Sequence, residues 1–289
     1  MVAALLGWYT THGRPLVIRA TRDPYAIWIG EVMSQQTQIG RVGEALPGFL
    51  TRFPDVPTLA GATTADVVRA WGGLGYPRRA VALRDAARSM VERHGSCVPR
   101  DVAELEALPG IGPYTARAIA ATAYGMPVTA LDVNARRVMG RVLDGEPIGS
   151  SSSRGQQHRV DSLAPPDRAA DWNHALMDLG AAVCRPVPDC PACPIRRWCA
   201  YAAAPRAANA KRRMRRASAP FHATNRYARG RVLAVLRDAP TGAWTVLDPG
   251  SLAIEPQRIG RAATELLADG LIELEGEPDG RLEARLATR

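Results

Sequence analysis

Lysine is almost missing from this 289-residue chain. Lys211 is the only one, so the rest of its 37 basic residues are arginines, and no lysine amine is available for imine chemistry before that position. Aromatic residues are scarce too, at 6%, whereas alanine, the strongest helix former, is abundant; the composition favours a mainly helical protein. No apolar run reaches the roughly 18 residues that a membrane-spanning helix needs. Residues 1–7 are apolar but short and lack a basic start, so no signal peptide is expected. Cysteine is confined almost to one place. Four of the five fall between Cys184 and Cys199, the pattern of a metal site in a reducing compartment rather than of a disulfide framework. A cytoplasmic protein is expected, without a membrane partner.

What is present begins with charge. A net +9 and a pI near 9.9 point to a polyanionic partner, or to no more than an arginine-rich composition. The length allows one large domain or two to three small ones. Apolar residues recur at three to four positions over 3–11, 24–53, 64–71, 78–94, 134–144 and 169–183, predicting helices there, and residues 101–124 read as helix, turn, helix. Thr63-Thr64-Ala65-Asp66 starts a further helix, with a hydroxyl placed to cap it. Ser150 to Gly155 is a serine-rich loop. Cys97, in another loop, reads as a spare packed thiol. Residues 206–220 form a linker carrying Lys211-Arg212-Arg213-Met214-Arg215-Arg216, either a solvated face or a phosphate contact. Beyond it, helices at 229–237 and 255–268 and strands at 271–275 and 281–286 around Pro278-Asp279-Gly280 suggest a small winged-helix-like module.

Two motifs carry chemistry. Leu108-Pro109-Gly110-Ile111-Gly112 joins two helices. Its glycines allow close approach, and the free amides at the start of the next helix can hold a phosphate; the plain alternative is a helix–helix turn. Cys184, Cys190, Cys193 and Cys199 are separated by five, two and five residues. A structural zinc ribbon usually has two C-x-x-C pairs, and only Cys190 and Cys193 make one, so a 4Fe–4S cluster is favoured over zinc.

Gly110-Ile111-Gly112, an aspartate twenty residues after the second glycine, and the cysteine cluster together resemble the helix-hairpin-helix superfamily of DNA glycosylases. Within it, Glu31-Val32-Met33-Ser34-Gln35-Gln36-Thr37-Gln38, Trp71-Gly72-Gly73-Leu74-Gly75-Tyr76, Leu131-Asp132-Val133-Asn134 and Met177-Asp178-Leu179-Gly180 resemble the A/G-specific adenine glycosylases of the MutY type. The likeness covers residues 8–200 and Asn225 to Arg231. It implies a six-helix barrel domain at 22–130 and an iron–sulfur cluster domain from 1–21 and 131–205; the winged-helix-like module at 221–289 rests on its own helices and strands. It also implies a monomer in the nucleoid, acting on double-stranded DNA that contains a mispair or damaged base.

The resemblance assigns roles as well. Glu31 matches the general acid, Asp132 the carboxylate that stabilises an oxocarbenium-like sugar, and Asn134 the residue that orients the acid and its water. Tyr114 stands where strand-nicking relatives carry a Schiff-base lysine, either backing Asp132 or simply packed; a monofunctional enzyme follows. Gln36, Thr37, Leu74 and Tyr76 match residues that wedge into the helix or touch the opposite base, Arg14 and Arg19 match arginines near the adenine pocket, and Gly110 and Gly112 match the phosphate-binding hairpin. The sequence departs from the family pattern in three places. It has five residues rather than six between the first two cysteines, Val17-Ile18 in place of Pro-Trp, and a short tail in place of a Nudix-like domain that reads 8-oxoguanine. A glycosylase for thymine or uracil opposite guanine, or a non-catalytic iron–sulfur DNA sensor, is the competing reading.

Overall fold

Prolines and capping side chains set many of the helix boundaries in the computed structural model, which describes residues 1–146, 153–203, 220–276 and 282–288. The helices are α1 (Val2–His12), α2 (Pro24–Ser34), α3 (Ile39–Arg52), α4 (Val56–Ala60), α5 (Thr64–Trp71), α6 (Arg78–Arg93), α7 (Val102–Glu106) and α8 (Pro113–Tyr124). They continue with α9 (Val133–Asp144), α10 (Arg154–Asp161), α11 (Ala169–Ala182), α12 (Ala200–Ala203), α13 (Asn225–Asp238), α14 (Pro249–Leu252) and α15 (Pro256–Ala268). Among the described residues, three strands, β1 (Thr245–Val246), β2 (Ile272–Gly276) and β3 (Leu282–Leu286), complete a mainly helical protein. The Pro278-Asp279-Gly280 turn, Ser150 to Ser152 of the serine-rich loop and residues 206–219 of the linker lie outside the described residues. Among those described, no helix is long and apolar enough to cross a membrane.

Local chemistry accounts for these boundaries. Thr63 and Asp66 form a reciprocal capping box at the start of α5. Asp101 and Asp132 accept backbone N–H bonds at the starts of α7 and α9. Pro113 opens α8, where its missing N–H costs nothing, and Gly125 closes it in a left-handed conformation at φ 65°. The run expected as one helix over 24–53 is two. Gln36 sits at φ 54°, which no helix accommodates, and the chain turns there before α3. The periodicity also passed over α4, α10, α14 and β1, all shorter than the window in which a period can be read.

Contacts gather the chain into two units: Met1–Glu31 with Val98–Arg213, and Val32–Cys97 with Met214–Arg289. In the first, Leu5 and Leu6 of α1, Val138 and Met139 of α9, and Trp172, Leu176 and Leu179 of α11 form a buried core. Gly180 lets α11 approach α9: a Cβ there would lie 2.6 Å from that of Asn134. In the second, the tail runs α13-β1-α14-α15-β2-β3, a winged-helix order, with β3 central and antiparallel to both neighbours. Ile272 faces Leu286 and Leu274 faces Ala284 across the hairpin. The core of the tail takes in Ala65 and Val68 of α5, and the Ala65 amide donates to the Ala287 carbonyl at 2.8 Å. Cys97 is exposed rather than packed, in the loop after Gly95 and Ser96, both at positive φ.

Candidate active site

In the first unit, Glu31 lies on the last full turn of α2 and is 8% exposed. Its carboxyl is lifted from 4.5 to about 7, chiefly because burial penalises the charge. The nearby Arg19 and a hydrogen bond donated by the Tyr114 hydroxyl oppose that rise, and the charge of Asp132 adds to it. Burial, with the charges of Glu31 and Asp132, in turn holds the Tyr114 phenol protonated. Its hydroxyl also lies 3.7 Å from Met177 Sδ. Asp132 caps α9. It accepts from the Ala135 amide at 2.6 Å and from Asn134 Nδ2 at 3.2 Å. Burial raises its carboxyl, while these bonds and Arg137 oppose the rise. Glu31, Tyr114, Asp132 and Asn134, singled out from the sequence, thus sit in one interacting group.

The backbone leading into Asp132 has no regular structure and is held by side chains. Buried Asn173 accepts from the Ala130 amide at 2.7 Å and donates to the Val128 carbonyl at 2.9 Å. Asp161 accepts from the Thr129 amide at 2.8 Å, and Trp172 Nε1 donates to Thr129 Oγ1 at 3.0 Å. Arg137 donates to Asn134 Oδ1 at 2.6 Å, to the Gly180 carbonyl at 2.7 Å and to the Cys184 carbonyl at 2.6 Å, so it joins the aspartate end of α9 to the first cysteine. None of these supporting roles was read from the sequence. They depend on long-range pairing, and only the polar residues on the largely apolar α11 hinted at them.

Arg14 and Arg19 converge on Asp178, which is 2% exposed. Asp178 accepts from the Arg14 amide at 2.9 Å, Arg14 Nε at 2.7 Å, and Arg19 Nη1 and Nη2 at 2.8 and 3.0 Å. Burial alone would raise Asp178; the hydrogen bonds and positive charge outweigh it and hold its carboxyl below 3.8. Arg19 also stacks on Tyr9, 5.8 Å from the ring centre. Gly110 and Gly112 lie in the exposed turn before α8, Gly110 at φ 76°, with the free amides of that helix start beside them.

All four cysteines of the cluster line one cavity, with Arg141 and Tyr201, and none is in a disulfide. Arg141 Nη1 approaches Cys184 Sγ at 3.4 Å, while its Nε is buried with no hydrogen-bond partner. Burial, then the charges of neighbouring thiols, push the Cys190 thiol up. Four soft donors around one cavity, beside a buried cation, fit an anionic iron–sulfur group. Among the described residues, no three His, Cys, Asp or Glu side chains are grouped as for a single metal ion.

The second unit carries the other sequence-selected residues. Gln36 and Tyr76 are exposed, and both have positive φ, 54° and 49°. Leu74 is buried. Thr37 is half-buried, and its Oγ1 accepts from Arg79 Nη2 at 3.0 Å. Arg79 also donates to the carbonyls of Val32, Met33, Gln35, Leu74 and Gly75, pinning the turn after α2 to the Gly72–Pro77 loop. A pocket there is lined by Gln35, Gln36, Tyr76, Arg78, Arg79 and, from the tail, Arg229.

Residues 29–153 match the HhH-GPD superfamily of base excision DNA repair proteins. The chain is 40% identical over 275 residues to the adenine DNA glycosylase of Mycolicibacterium smegmatis, covering 93% of this chain and 91% of that one. The adenine DNA glycosylase of Homo sapiens is 38% identical over 208 residues, covering 68% of this chain and 38% of that one. Among solved structures, a thermostable thymine-DNA glycosylase superposes with a TM-score of 0.65 at 28% identity, over 70% of this chain and 94% of that one. Endonuclease III in a non-covalent DNA complex shares the fold, with a TM-score of 0.58 at 22% identity, over 70% of this chain and 93% of that one. The match of residues 29–153, which contain the hairpin, places the chain in the HhH-GPD superfamily. Within that class, the extent and identity of the match settle the narrower assignment: the chain belongs to the adenine DNA glycosylase family.

Proposed function

We propose that this protein hydrolyses the bond between adenine and deoxyribose in double-stranded DNA where adenine is mispaired with 8-oxoguanine or guanine. It leaves an abasic site without nicking the strand. The observation that carries the reading is the pair of carboxyl groups whose surroundings differ. Glu31 is buried, accepts one hydroxyl bond and titrates near 7, so it can hold a proton at neutral pH. Asp132 caps a helix and accepts N–H bonds that favour its charge.

With the target nucleotide turned out of the stack, Glu31 delivers its proton to adenine N7. The C1′–N9 bond then breaks and neutral adenine departs. Asp132 faces the positive charge developing on the sugar, the two-carboxylate logic of glycoside hydrolysis. Water adds to C1′, and its proton recharges Glu31. Asn134, tied to Asp132 and Arg137, fixes the aspartate and the attacking water. Asp178 holds Arg14 and Arg19, and Arg19 lies close enough to temper the rise in the Glu31 pKa. Gly110 and Gly112 give backbone amides to a DNA phosphate. Gln36 and Tyr76, with Thr37 and Leu74 behind them, meet the opened duplex. Tyr114 cannot form an imine, which supports hydrolysis without a lyase step.

Cys184, Cys190, Cys193 and Cys199 would hold the 4Fe–4S cluster. When bound, it would cross-link the loop that Arg137 and Arg141 tie to α9. Iron and acid-labile sulfide in the purified protein test that assignment. The 40% identity to an adenine enzyme, against 28% to the thymine enzyme, favours adenine over thymine or uracil. The functional test compares binding with release: Glu31→Gln should bind an adenine:8-oxoguanine duplex and free no adenine, and near-wild-type release would remove the acid from this scheme.

A further inference from the structure

Tyr76 is held in an unfavourable conformation. It is a bulky residue at φ 49° and directly precedes Pro77, whose ring disfavours helical dihedrals in the residue before it. Its side chain is 39% exposed, so burial does not fix it. Several groups fix its loop instead. Trp71 Nε1 and Arg79 Nη2 both donate to the Gly75 carbonyl at 2.9 Å. The Arg79 guanidinium lies 5.6 Å from the Tyr76 ring centre. A second guanidinium, that of Arg226 on the first turn of α13, lies closer, at 4.4 Å. Arg226 also reaches Gly75, where its Nη2 would be 3.7 Å from a Cβ. Among the described residues, no carboxylate pairs with Arg226, whereas Arg229 one turn on is held by Glu265 and Asp269. The tail is seated for this contact: Arg69 donates to the carbonyls of Arg237 and Ala239, and Arg237 to that of Gly72.

We propose that Arg226 is a positioning residue for Tyr76, through which the tail shapes the surface that grips the opened duplex. The proposal rests on the reading of Tyr76 as a DNA-contacting residue. A planar cation stacked on the ring limits the ring's rotamers before DNA arrives, so less side-chain freedom is lost on binding.

A double-mutant cycle on the full-length protein tests this, read as equilibrium affinity for an adenine:8-oxoguanine duplex. Arg226→Ala should weaken binding about two- to fivefold, the range of an exposed cation–π contact. The melting temperature should fall by no more than about 4 °C, and Arg226→Lys should recover part of the loss. In a Tyr76→Ala background, Arg226→Ala should have no further effect. Additive losses with a shallower salt dependence would mean that Arg226 meets a phosphate directly, and would overturn the proposal. No loss from Arg226→Ala in the wild-type background would overturn it equally. Affinity is read without base release. Failure of the glycosylase reading therefore appears as binding without release, and failure of this one as additivity or the absence of any loss.

Discussion

Replacing Glu31 by glutamine should stabilise the protein, in a manner that depends on pH. In the folded chain the carboxyl titrates at about 7 instead of 4.5, because burial disfavours its ionised form. At 1.36 kcal/mol for each tenfold change in proton affinity, that displacement makes the ionised carboxylate cost the fold about 3 kcal/mol. The folded pKa lies above the unfolded one, so the folded state binds the proton more tightly. Below pH 4.5 the group is neutral in both states and imposes nothing. As pH rises from there the unfolded chain ionises first and stability falls, until above about pH 7 the whole cost is present. Glutamine has nearly the same shape, can accept the Tyr114 hydroxyl bond and never ionises. Urea denaturation without DNA, run across this range, should give curves that coincide at the acid end and diverge by about 3 kcal/mol at the alkaline end. Parallel stabilities at every pH would refute the argument that Glu31 is buried as a proton-holding acid.

Other perturbations follow from the same geometry. Asp178→Asn leaves the buried Arg19 without its counter-charge and should cost about 3 kcal/mol. Because the aspartate is held below 3.8, this stabilisation is present above that pH and is lost as pH falls through the lowered value, which acid-side urea titrations would register. Gly180→Ala drives a methyl group to 2.6 Å from Asn134 Cβ. It should destabilise the first unit by about 1–3 kcal/mol and slow base release, whereas unchanged melting and turnover would mean that α9 and α11 can part freely. Tyr114→Lys introduces an amine beside Glu31 and Asp132; borohydride should then trap a covalent DNA adduct that the wild type does not form.

Legibility in the sequence followed the range of the interaction. Glu31 and Asp132 could be picked out because motifs of fixed spacing carry them, and the structure brings both against Tyr114, Glu31 from the last turn of α2 and Asp132 from the locally written cap of α9. Asp178 stood in a recognisable motif, yet its grip on Arg14 and Arg19 spans about 160 residues and leaves no periodic trace. The support beneath Asp132 from Asn173 and Asp161, and the stacking of Arg226 on Tyr76, are hidden for the same reason. The break after α2 was missed because a positive φ at glutamine has no signal comparable to glycine. The average habit of cysteine points Cys97 to the interior, and its place in an exposed loop overrides that habit. The winged-helix-like tail was legible from its two long helices and hairpin, but not its common core with α5, which consists of ordinary apolar residues on both sides.

The central claim is that the buried acid and the helix-capping aspartate release adenine from a mispair. Single-turnover base release from a panel of duplexes tests it most directly, with adenine opposite 8-oxoguanine, guanine and thymine, and thymine or uracil opposite guanine. The account predicts rapid release of adenine opposite 8-oxoguanine or guanine, with strand breakage appearing only after alkali. Release of a pyrimidine instead, or of no base from any duplex, would contradict it.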